Sequence, residues 1–448
     1  MPLLTKAPRG TADILPSESY KIRYIENTVS EIASLFGFKE IRTPVFEHTE
    51  LFNRSVGETT DVVQKEMYTF EDNGKRSITL RPEGTAGCAR AFLEHGLFNE
   101  PMPQKMFYLT SCYRYEKPQA GRLREFHQFG VECLGAATPA ADAEIIALAQ
   151  NVFDFFELDD INLEINSIGC PVCRKEYHKA LLGYFESKKG ELCETCLSRL
   201  EKNPMRILDC KSPVCSAIAK DAPVVLNFLC EECDNHFKAV QKHLDAMQIP
   251  YTINPQIVRG LDYYTKTVFE FVSTSIGAQG TVCGGGRYDG LIEQLGGNPL
   301  PASGFGMGIE RLKLLLEAQH TSLPEEPRVQ LYVAPASKDY SFEALRLVND
   351  LRMEGISALT DLEERSIKAQ MKYANKKNVM FTMVLGSDEI ESHKATVKNM
   401  DNGETKEISL DNFTEDFMRV TLDAALADIG QTENLNFGDF TLLNGGKI

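Results

Sequence analysis

The chain has 448 residues, 43% hydrophobic and 25% charged, a composition typical of a globular protein too long for one ordinary domain. It has no apolar run of about 18 residues, and its start, MPLLTKAPRG, lacks the apolar core of a signal peptide, so we expect a cytoplasmic protein. The net charge of −16 argues against binding nucleic acid through bulk charge, although it permits a local basic face.

The first predicted elements are a helix and a long hairpin. Apolar residues recur at helical spacing between Ser17, a candidate N-cap, and Gly37, a candidate residue just after the helix. Residues 105 to 134 predict two strands joined by the polar loop EKPQAGRLRE. On the second strand, alternation separates an apolar face from a face suited to a small ligand, which carries Phe126, Gln128, Gly130 and Glu132.

Arginines cluster at the tip of this hairpin. Arg114 ends the first strand, and Arg122 and Arg124 lie in the loop. Paired guanidinium hydrogen bonds can hold phosphate oxygens, so the tip is a candidate phosphate site. A solvated basic turn without a ligand is the alternative.

Cysteines dominate a helix-favouring segment at about 167–250. Eight of the 12 cysteines lie between Cys170 and Cys233, and the spacing C-x₂-C-x₁₉-C-x₂-C falls within the range of zinc sites. Residues 174–189 predict a helix about 24 Å long, which separates the first two pairs too far for one metal, because a Zn–S bond is only about 2.3 Å long.

The later cysteine pairs can supply the missing ligands. We therefore predict two structural zinc sites, one formed by Cys170, Cys173, Cys210 and Cys215, the other by Cys193, Cys196, Cys230 and Cys233. Four thiolates leave no open position on zinc, so a catalytic zinc is not expected. Metal-free thiols and redox pairs are the alternatives.

Glycine-rich stretches follow the strand-like TKTVFEFV. GTVCGGGRYDG lacks a clear Rossmann unit after it, and the chain has no P-loop motif. ASGFGMGIERL predicts a strand that runs into a helix near Ile309, with Arg311 close to the helix start. Its glycines would admit a flat ligand, or they mark a bulged strand packed under another element.

The C-terminal part predicts a separate small α/β domain. SLPEEPR resembles a linker, and strands and helices then alternate to about residue 425. Arg365, Lys368, Lys372 and Lys376 are spaced as one face of a helix, which could meet a phosphate backbone or simply face solvent.

Five segments together carry a family resemblance: PRGTADILP, GFKEIRTPVFE, YRYEKPQAGRLREFHQFGVE, RGLDYYT and GFGMGIERL. With them the chain resembles class II aminoacyl-tRNA synthetases, and specifically the bacterial histidyl-tRNA synthetases. The resemblance implies an α+β fold: an antiparallel-sheet catalytic domain over 1–325 with the helical insertion 167–250, an anticodon-binding α/β domain over 328–425 and a tail, 426–448. It also implies a homodimer.

The resemblance implies a two-step ATP-dependent ligation of L-histidine to tRNA(His). Histidine attacks the α-phosphate of ATP, with Mg²⁺ present, to give histidyl-adenylate and pyrophosphate, and the acyl group then passes to the tRNA ribose. Fixed cations would stabilise the charge that builds on the phosphoryl oxygens. The implied catalytic residues are Arg259 and Arg114, and the implied ATP-binding residues are Arg114, Glu116, Arg122, Phe126 and Arg311.

Recognition of histidine needs a second set of residues. By the same resemblance, Glu83 and Thr85 of RPEGT hold the α-amino group with help from Gln128, and Arg114 and Arg259 contact the carboxylate side. Imidazole has two nitrogens, so a selective pocket needs a polar partner for each. Glu132 and Tyr264, with Tyr263 beside them, suit that need.

Besides another class II synthetase, which substitution of other amino acids in an exchange assay would expose, two other functions are possible. A non-catalytic regulatory subunit of ATP phosphoribosyltransferase shares the catalytic fold, but it typically lacks the anticodon domain and the arginine motif that contains Arg259. A zinc-organised RNA-binding module is the other alternative, and the complete active-site set argues against it. Histidine-dependent ATP–pyrophosphate exchange would separate these functions.

Overall fold

A computed structural model describes residues 4–57, 60–210, 212–276 and 280–431. The chain divides into two compact units, Met1–Pro324 and Glu325–Ile448. Of the predicted tail, residues 432–448 lie outside the described residues. Within the described ranges, no helix has both the length and the apolar composition needed to cross a membrane.

The N-terminal unit alternates helices and strands along the chain. Its elements are α1 Pro16–Leu35, β1 Lys39–Glu40, β2 Phe46–His48, α2 Thr49–Val56, β3 Tyr68–Glu71, β4 Ser77–Leu80, α3 Thr85–Glu94, β5 Gln104–Tyr113, β6 Glu125–Leu134, α4 Pro139–Phe155, β7 Asn162–Ser167, α5 Pro171–Glu186, α6 Glu194–Lys202, α7 Pro213–Lys220, α8 Glu231–Ala246, β8 Thr252–Ile253, β9 Thr265–Val272, β10 Thr281–Arg287, α9 Leu291–Gln294, β11 Ala302–Gly308 and α10 Ile309–Ala318.

Eight strands of this unit form one sheet in the order β1-β5-β6-β11-β10-β9-β7-β8. Its pairs are antiparallel except β1 with β5 and β7 with β8. Strands β2, β4 and β3 form a smaller antiparallel sheet. The expected antiparallel catalytic sheet is confirmed, and so is the hairpin, whose strands β5 and β6 are the longest in the unit.

A large apolar core covers one face of the main sheet. There α1, α4, α8 and α10 pack against the alternating side chains Phe129 and Val131 of β6 and Phe269 and Phe271 of β9. Helix α1 begins at Pro16 with Leu15 at its N-cap, not at Ser17, because proline suits the first helical turn. Gly37 follows the helix at φ 78°, as its position predicts.

A second core lies on the opposite face and joins the insertion to the sheet. Tyr177, Leu181 and Phe185 of α5 pack in the same cluster as Tyr263 and Tyr264. Helix α8 instead contributes Phe237, Val240 and Leu244 to the large core. The insertion therefore packs as a separate helical layer only as far as the start of α8.

The C-terminal unit is a small α/β layer structure. The elements are β12 Leu331–Pro335, α11 Ser341–Met353, β13 Ala358–Thr360, α12 Ile367–Lys376, β14 Phe381–Leu385, α13 Ser387–Ser392, β15 Lys394–Asn399, β16 Thr405–Ser409 and α14 Phe413–Gln431. The strands form a mixed sheet in the order β13-β12-β14-β15-β16.

Candidate active site

A cavity of about 350 Å³ opens on the second face of the main sheet. The hairpin β5–β6, strands β9 to β11 and the segment before β9 all contribute to its wall. Every residue predicted for ATP or histidine lines it except Glu132: Glu83, Thr85, Arg114, Glu116, Arg122, Phe126, Gln128, Arg259, Tyr263, Tyr264 and Arg311. Segments distant in sequence thus converge as the motifs predict.

Three arginines lie close together at one end of this cavity. Arg311 donates from Nε to Gly121 O at 2.9 Å, which ties α10 to the hairpin loop. Arg122 pairs with Glu116, and the Arg114 guanidinium lies 5.3 Å from the centroid of the Phe126 ring. Burial, with the nearby charges of Arg114 and Arg122, lowers the pKa of Arg311 to about 10. Cations held this close together favour an anionic ligand.

Arg259 approaches the cavity from the segment before β9. Its guanidinium pairs with Glu270 and lies over Gly284, where a Cβ atom would collide with it. Its Nε is buried and makes no hydrogen bond to the residues that the structure describes. A buried donor without a protein partner is costly, so this nitrogen is suited to a ligand oxygen.

Glu83 is positioned by the start of helix α3. Its two carboxylate oxygens accept the backbone N–H groups of Thr85 and Ala86, both at 2.8 Å. Burial raises the pKa of Glu83, although these hydrogen bonds act in the opposite direction. The helix therefore uses part of the acceptor capacity of this carboxyl, and the remainder faces the cavity.

Glu132 lies beneath the cavity wall. Tyr108 donates to Glu132 Oε1 at 2.9 Å, and the Tyr288 hydroxyl contacts Oε2. Burial raises the pKa of this carboxyl to about 8, although the hydroxyl groups favour its charged form. Tyr263 packs beside Tyr288: the centroid of its ring lies 5.4 Å from that of Tyr288 and 4.7 Å from that of Tyr264.

Sequence reasoning missed Glu310, which lines the cavity, and three residues that hold predicted side chains. Tyr108 and Tyr288 hold Glu132, and Glu270 holds Arg259. Of these three, only Glu270 carried a sequence signal, as one of two charged residues in the strand TKTVFEFV. The position of Tyr108 opposite Gly130 follows from the register of the hairpin.

The strand glycines accommodate protein side chains as well as a ligand. A Cβ on Gly304 would collide with Glu132, and one on Gly306 would collide with Gln128. Both residues face β6, to which β11 pairs. The glycine run in ASGFGMG therefore lets the Glu132 and Gln128 side chains of β6 lie flat across the neighbouring strand.

The eight clustered cysteines form two groups of four. In each group the four sulfur atoms lie within 4.8 Å of one another. One group is Cys170, Cys173, Cys230 and Cys233, and the other is Cys193, Cys196, Cys210 and Cys215. The first two pairs are separated by α5, as predicted. The predicted assignment of the later pairs was wrong: Cys210 and Cys215 join the group of Cys193, and Cys230 and Cys233 join the group of Cys170.

The physical reason is the course of the chain after α6. A 3-10 turn over Pro204–Ile207 folds back along α6, with Arg199 Nη1 donating to Arg206 O at 2.9 Å. This return places Cys210 Sγ 3.9 Å from Cys193 Sγ. The insertion leaves and rejoins the sheet side by side, so Cys230 N donates to Cys173 Sγ at 3.1 Å. The two groups are therefore nested along the chain: all four cysteines of the second group lie between the two pairs of the first.

The predicted basic stripe is shorter than expected. Lys368, Lys372 and Lys376 are exposed on α12. Arg365 precedes the helix, where its Nε pairs with Asp361 Oδ1 at 2.5 Å and its guanidinium lies 4.3 Å from the centroid of the Tyr373 ring. It helps to hold the helix start and does not continue the stripe.

Comparison with known proteins gives a consistent result over both units. The family model described as Histidyl-tRNA synthetase matches residues 10–312, and one described as Anticodon binding domain matches residues 330–418. The histidine–tRNA ligase of Clostridium novyi is 55% identical over 92% of this chain and 98% of its own length. That of Caldanaerobacter subterraneus is 55% identical over 91% and 98%. The crystal structure of apo S. aureus histidyl-tRNA synthetase has a TM-score of 0.79 and 42% identity, covering 92% of this chain and 100% of that one.

Proposed function

The chain belongs to the histidyl-tRNA synthetase family and is a histidine–tRNA ligase, and we propose that its central cavity performs both steps of the ligation. The observation that supports this assignment is the convergence of Arg114, Arg259 and Arg311 with Glu83 and Tyr264 in one cavity. The regulatory-subunit alternative is not favoured, because an anticodon-binding domain follows the catalytic unit.

In the first step we assign charge stabilisation to Arg114 and Arg259. The histidine carboxylate attacks the α-phosphorus, and the additional negative charge appears on the phosphoryl oxygens. Arg259 offers a buried Nε without a protein acceptor in the described part of the chain. Arg122 and Arg311 hold the remaining phosphates, Phe126 stacks on adenine and Glu116 accepts its amino group.

Histidine lies between α3 and the Tyr263–Tyr264 pair. Glu83, Thr85 and Gln128 face its α-amino group, since all three line the cavity. Glu132 and Tyr264 serve the two imidazole nitrogens. Glu132 lies outside the cavity lining, whereas Tyr263 and Tyr264 are part of it. The imidazole ring therefore has to pass these two tyrosine side chains to contact Glu132.

Magnesium accompanies ATP. Mg²⁺ is usually held by one or two carboxylates together with substrate phosphates. Glu270 and Glu310 line the cavity beside the arginines and are the carboxylates that would hold it. When bound there, the ion would supply neutralisation of phosphate charge. Among the described residues no three-carboxylate cage occurs, which agrees with an ion delivered by the nucleotide.

ATP–pyrophosphate exchange tests the assignment directly. Purified protein should exchange labelled pyrophosphate into ATP only when L-histidine and Mg²⁺ are present. Arg259→Ala should lower kcat about 100- to 1000-fold, as removal of a transition-state donor does. Exchange that proceeds equally with another amino acid, or not at all from folded protein, would overturn the assignment.

The tRNA contact and the assembly state are further proposals. We assign the anticodon contact to the C-terminal unit, with Lys368, Lys372 and Lys376 facing the phosphate backbone. By family resemblance the active form is a homodimer, and light scattering of the purified chain would test it.

We also propose that each cysteine group binds one structural Zn²⁺. A tetrahedral ion with Zn–S bonds of about 2.3 Å places sulfur atoms about 3.8 Å apart. The Sγ atoms of Cys170 and Cys173 are 3.6 Å apart, and those of Cys170 and Cys230 are 4.0 Å apart. In both groups a backbone N–H donates to a sulfur, which stabilises thiolate.

Elemental analysis tests the zinc proposal. Protein purified without chelator should contain about two zinc ions per chain. Serine substitution of one ligand in a single group should remove one of them. Zinc near zero in folded, active protein would contradict the proposal and favour metal-free thiols.

A further inference from the structure

Residues 259–266, which include three of the residues proposed to bind histidine, accept hydrogen bonds at their backbone carbonyl groups from the inserted helical region. Arg206 lies in the turn between Cys196 and Cys210 and is buried. Its Nη1 donates to Arg259 O at 2.8 Å and its Nη2 to Gly260 O at 3.2 Å. One guanidinium group therefore fixes the backbone of the catalytic arginine.

The other cysteine group holds the opposite end of the same segment. Arg174 directly follows Cys173, and its Nη1 donates to Tyr264 O at 3.2 Å. Gly169 directly precedes Cys170, and its carbonyl accepts from Thr265 Oγ1 at 3.1 Å and from Lys266 N at 3.0 Å. Both ends of the segment are thus bonded to residues next to a cysteine group or enclosed by one.

We propose that the two cysteine groups hold the 259–266 segment in its active geometry, with Arg206 and Arg174 as positioning residues, so that loss of metal from either group weakens histidine activation while ATP binding persists. The inference rests on the proposed zinc sites and on the proposed exchange activity.

The physical basis is the nested closure of the insertion. Besides the Cys193–Cys215 group, two features hold the turn that carries Arg206: the hydrogen bond from Arg199 to Arg206 O, and the burial of Met205 and Ile207 in the second core. If the cysteine group loses its metal, the loop between Cys196 and Cys210 regains conformational freedom. Arg206 then no longer fixes the carbonyl groups of Arg259 and Gly260. The phosphate arginines Arg114, Arg122 and Arg311 lie on the hairpin and α10, away from this turn along the chain.

The first test separates positioning from folding. Arg206→Ala should raise the KM for histidine or lower kcat in ATP–pyrophosphate exchange, to a combined loss of about 10- to 100-fold in kcat/KM for histidine. Binding of an ATP analogue without histidine should change less than about twofold. Arg206→Lys, which can still donate to one carbonyl, should restore part of the loss.

A matched control is available in the C-terminal unit. Arg328 also donates to two backbone carbonyls, Asn378 O at 2.9 Å and Val379 O at 3.3 Å. Arg328→Ala should leave the exchange constants for histidine unchanged. An unchanged kcat/KM in Arg206→Ala, or a parallel loss of ATP-analogue binding, would overturn the positioning role.

The second test addresses the metal. Cys210→Ser should remove one zinc per chain and reproduce the Arg206→Ala defect in histidine activation, whereas Cys133→Ala, outside both groups, should change neither. Zinc loss with unchanged histidine constants would overturn the link. A wild-type chain with histidine-dependent exchange but no zinc would overturn the metal part alone. A wild-type chain with zinc but no exchange would instead refute the proposed function.

Discussion

Among single residues, Glu132 has an environment that should be visible in a pH titration. The carboxyl is 1% exposed and lies between the hydroxyl groups of Tyr108 and Tyr288. Burial raises its pKa from 4.5 to about 8. At neutral pH the folded chain therefore keeps a proton that the unfolded chain has lost.

This difference fixes the sign of a stability prediction. Because the unfolded state binds fewer protons between about pH 5 and pH 8, the free energy of unfolding should fall as pH rises, by at most ~1.4 kcal/mol per pH unit from this group. Urea titrations of Glu132→Gln should show a flatter pH profile. The exposed Glu100, changed to Gln, serves as the control, and equal slopes for wild type and Glu132→Gln would contradict a neutral Glu132.

Individual residue types also show what local sequence could reveal about the site. Arg114, Arg259 and Arg311 were predictable because each stands in a motif whose neighbours are equally distinctive. The partners Tyr108, Tyr288 and Glu270 were not predicted, since their role appears only when strands that are distant in sequence lie side by side.

Among the elements, β10, α4 and α8 are joined by one buried ionic network. Arg287 is fully buried and pairs with Asp142 Oδ1 at 2.6 Å, and His236 Nε2 lies 2.8 Å from Asp142 Oδ2. Burial alone would raise the pKa of Asp142, but His236 and Arg287 bring it below its usual value. The network fixes the end of a glycine-rich strand that has few side chains of its own to pack.

Removing one partner should therefore be costly. Asp142→Ala leaves Arg287 as a buried charge with reduced compensation, and we expect a loss of about 3–5 kcal/mol in the free energy of unfolding, measured in urea. The half-exposed pair of Glu144 and Lys105, 2.8 Å apart, offers a control on the same helix. Glu144→Ala should cost less than about 1 kcal/mol, and comparable losses in the two variants would refute the distinction.

Elements also explain the one incorrect grouping in the insertion. Helix length correctly separated Cys170 and Cys173 from Cys193 and Cys196. The Asn203-Pro204 dipeptide marks a turn after α6, but the direction of that turn depends on its 3-10 geometry and on the Arg199 contact, which the sequence does not reveal. Spacing predicted two groups of four, and only the fold decided their members.

At the scale of the whole molecule, we propose that the N-terminal unit performs the chemistry and that the C-terminal unit, which matches an anticodon-binding domain, contributes tRNA selection. Substituting Lys368, Lys372 and Lys376 with Glu should lower kcat/KM for tRNA charging and reduce its salt dependence, because each phosphate contact releases counterions. ATP–pyrophosphate exchange should stay unchanged. Glutamates placed at the exposed Lys338, Lys394 and Lys406 provide a charge-matched control. An equal loss in both triple variants would show a general charge effect.

The sequence by itself determined the family, the two-unit organisation of the fold and most of the cavity lining, because these follow from local periodicity and from motifs whose chemistry is carried by adjacent residues. Tertiary structure alone decided that Glu132 lies beneath the cavity lining and that its side chain packs against Gly304. It also decided how the cysteines are grouped and that Arg206 binds the backbone of Arg259. These features depend on contacts between segments far apart in the chain, and strand register and chain direction set such contacts.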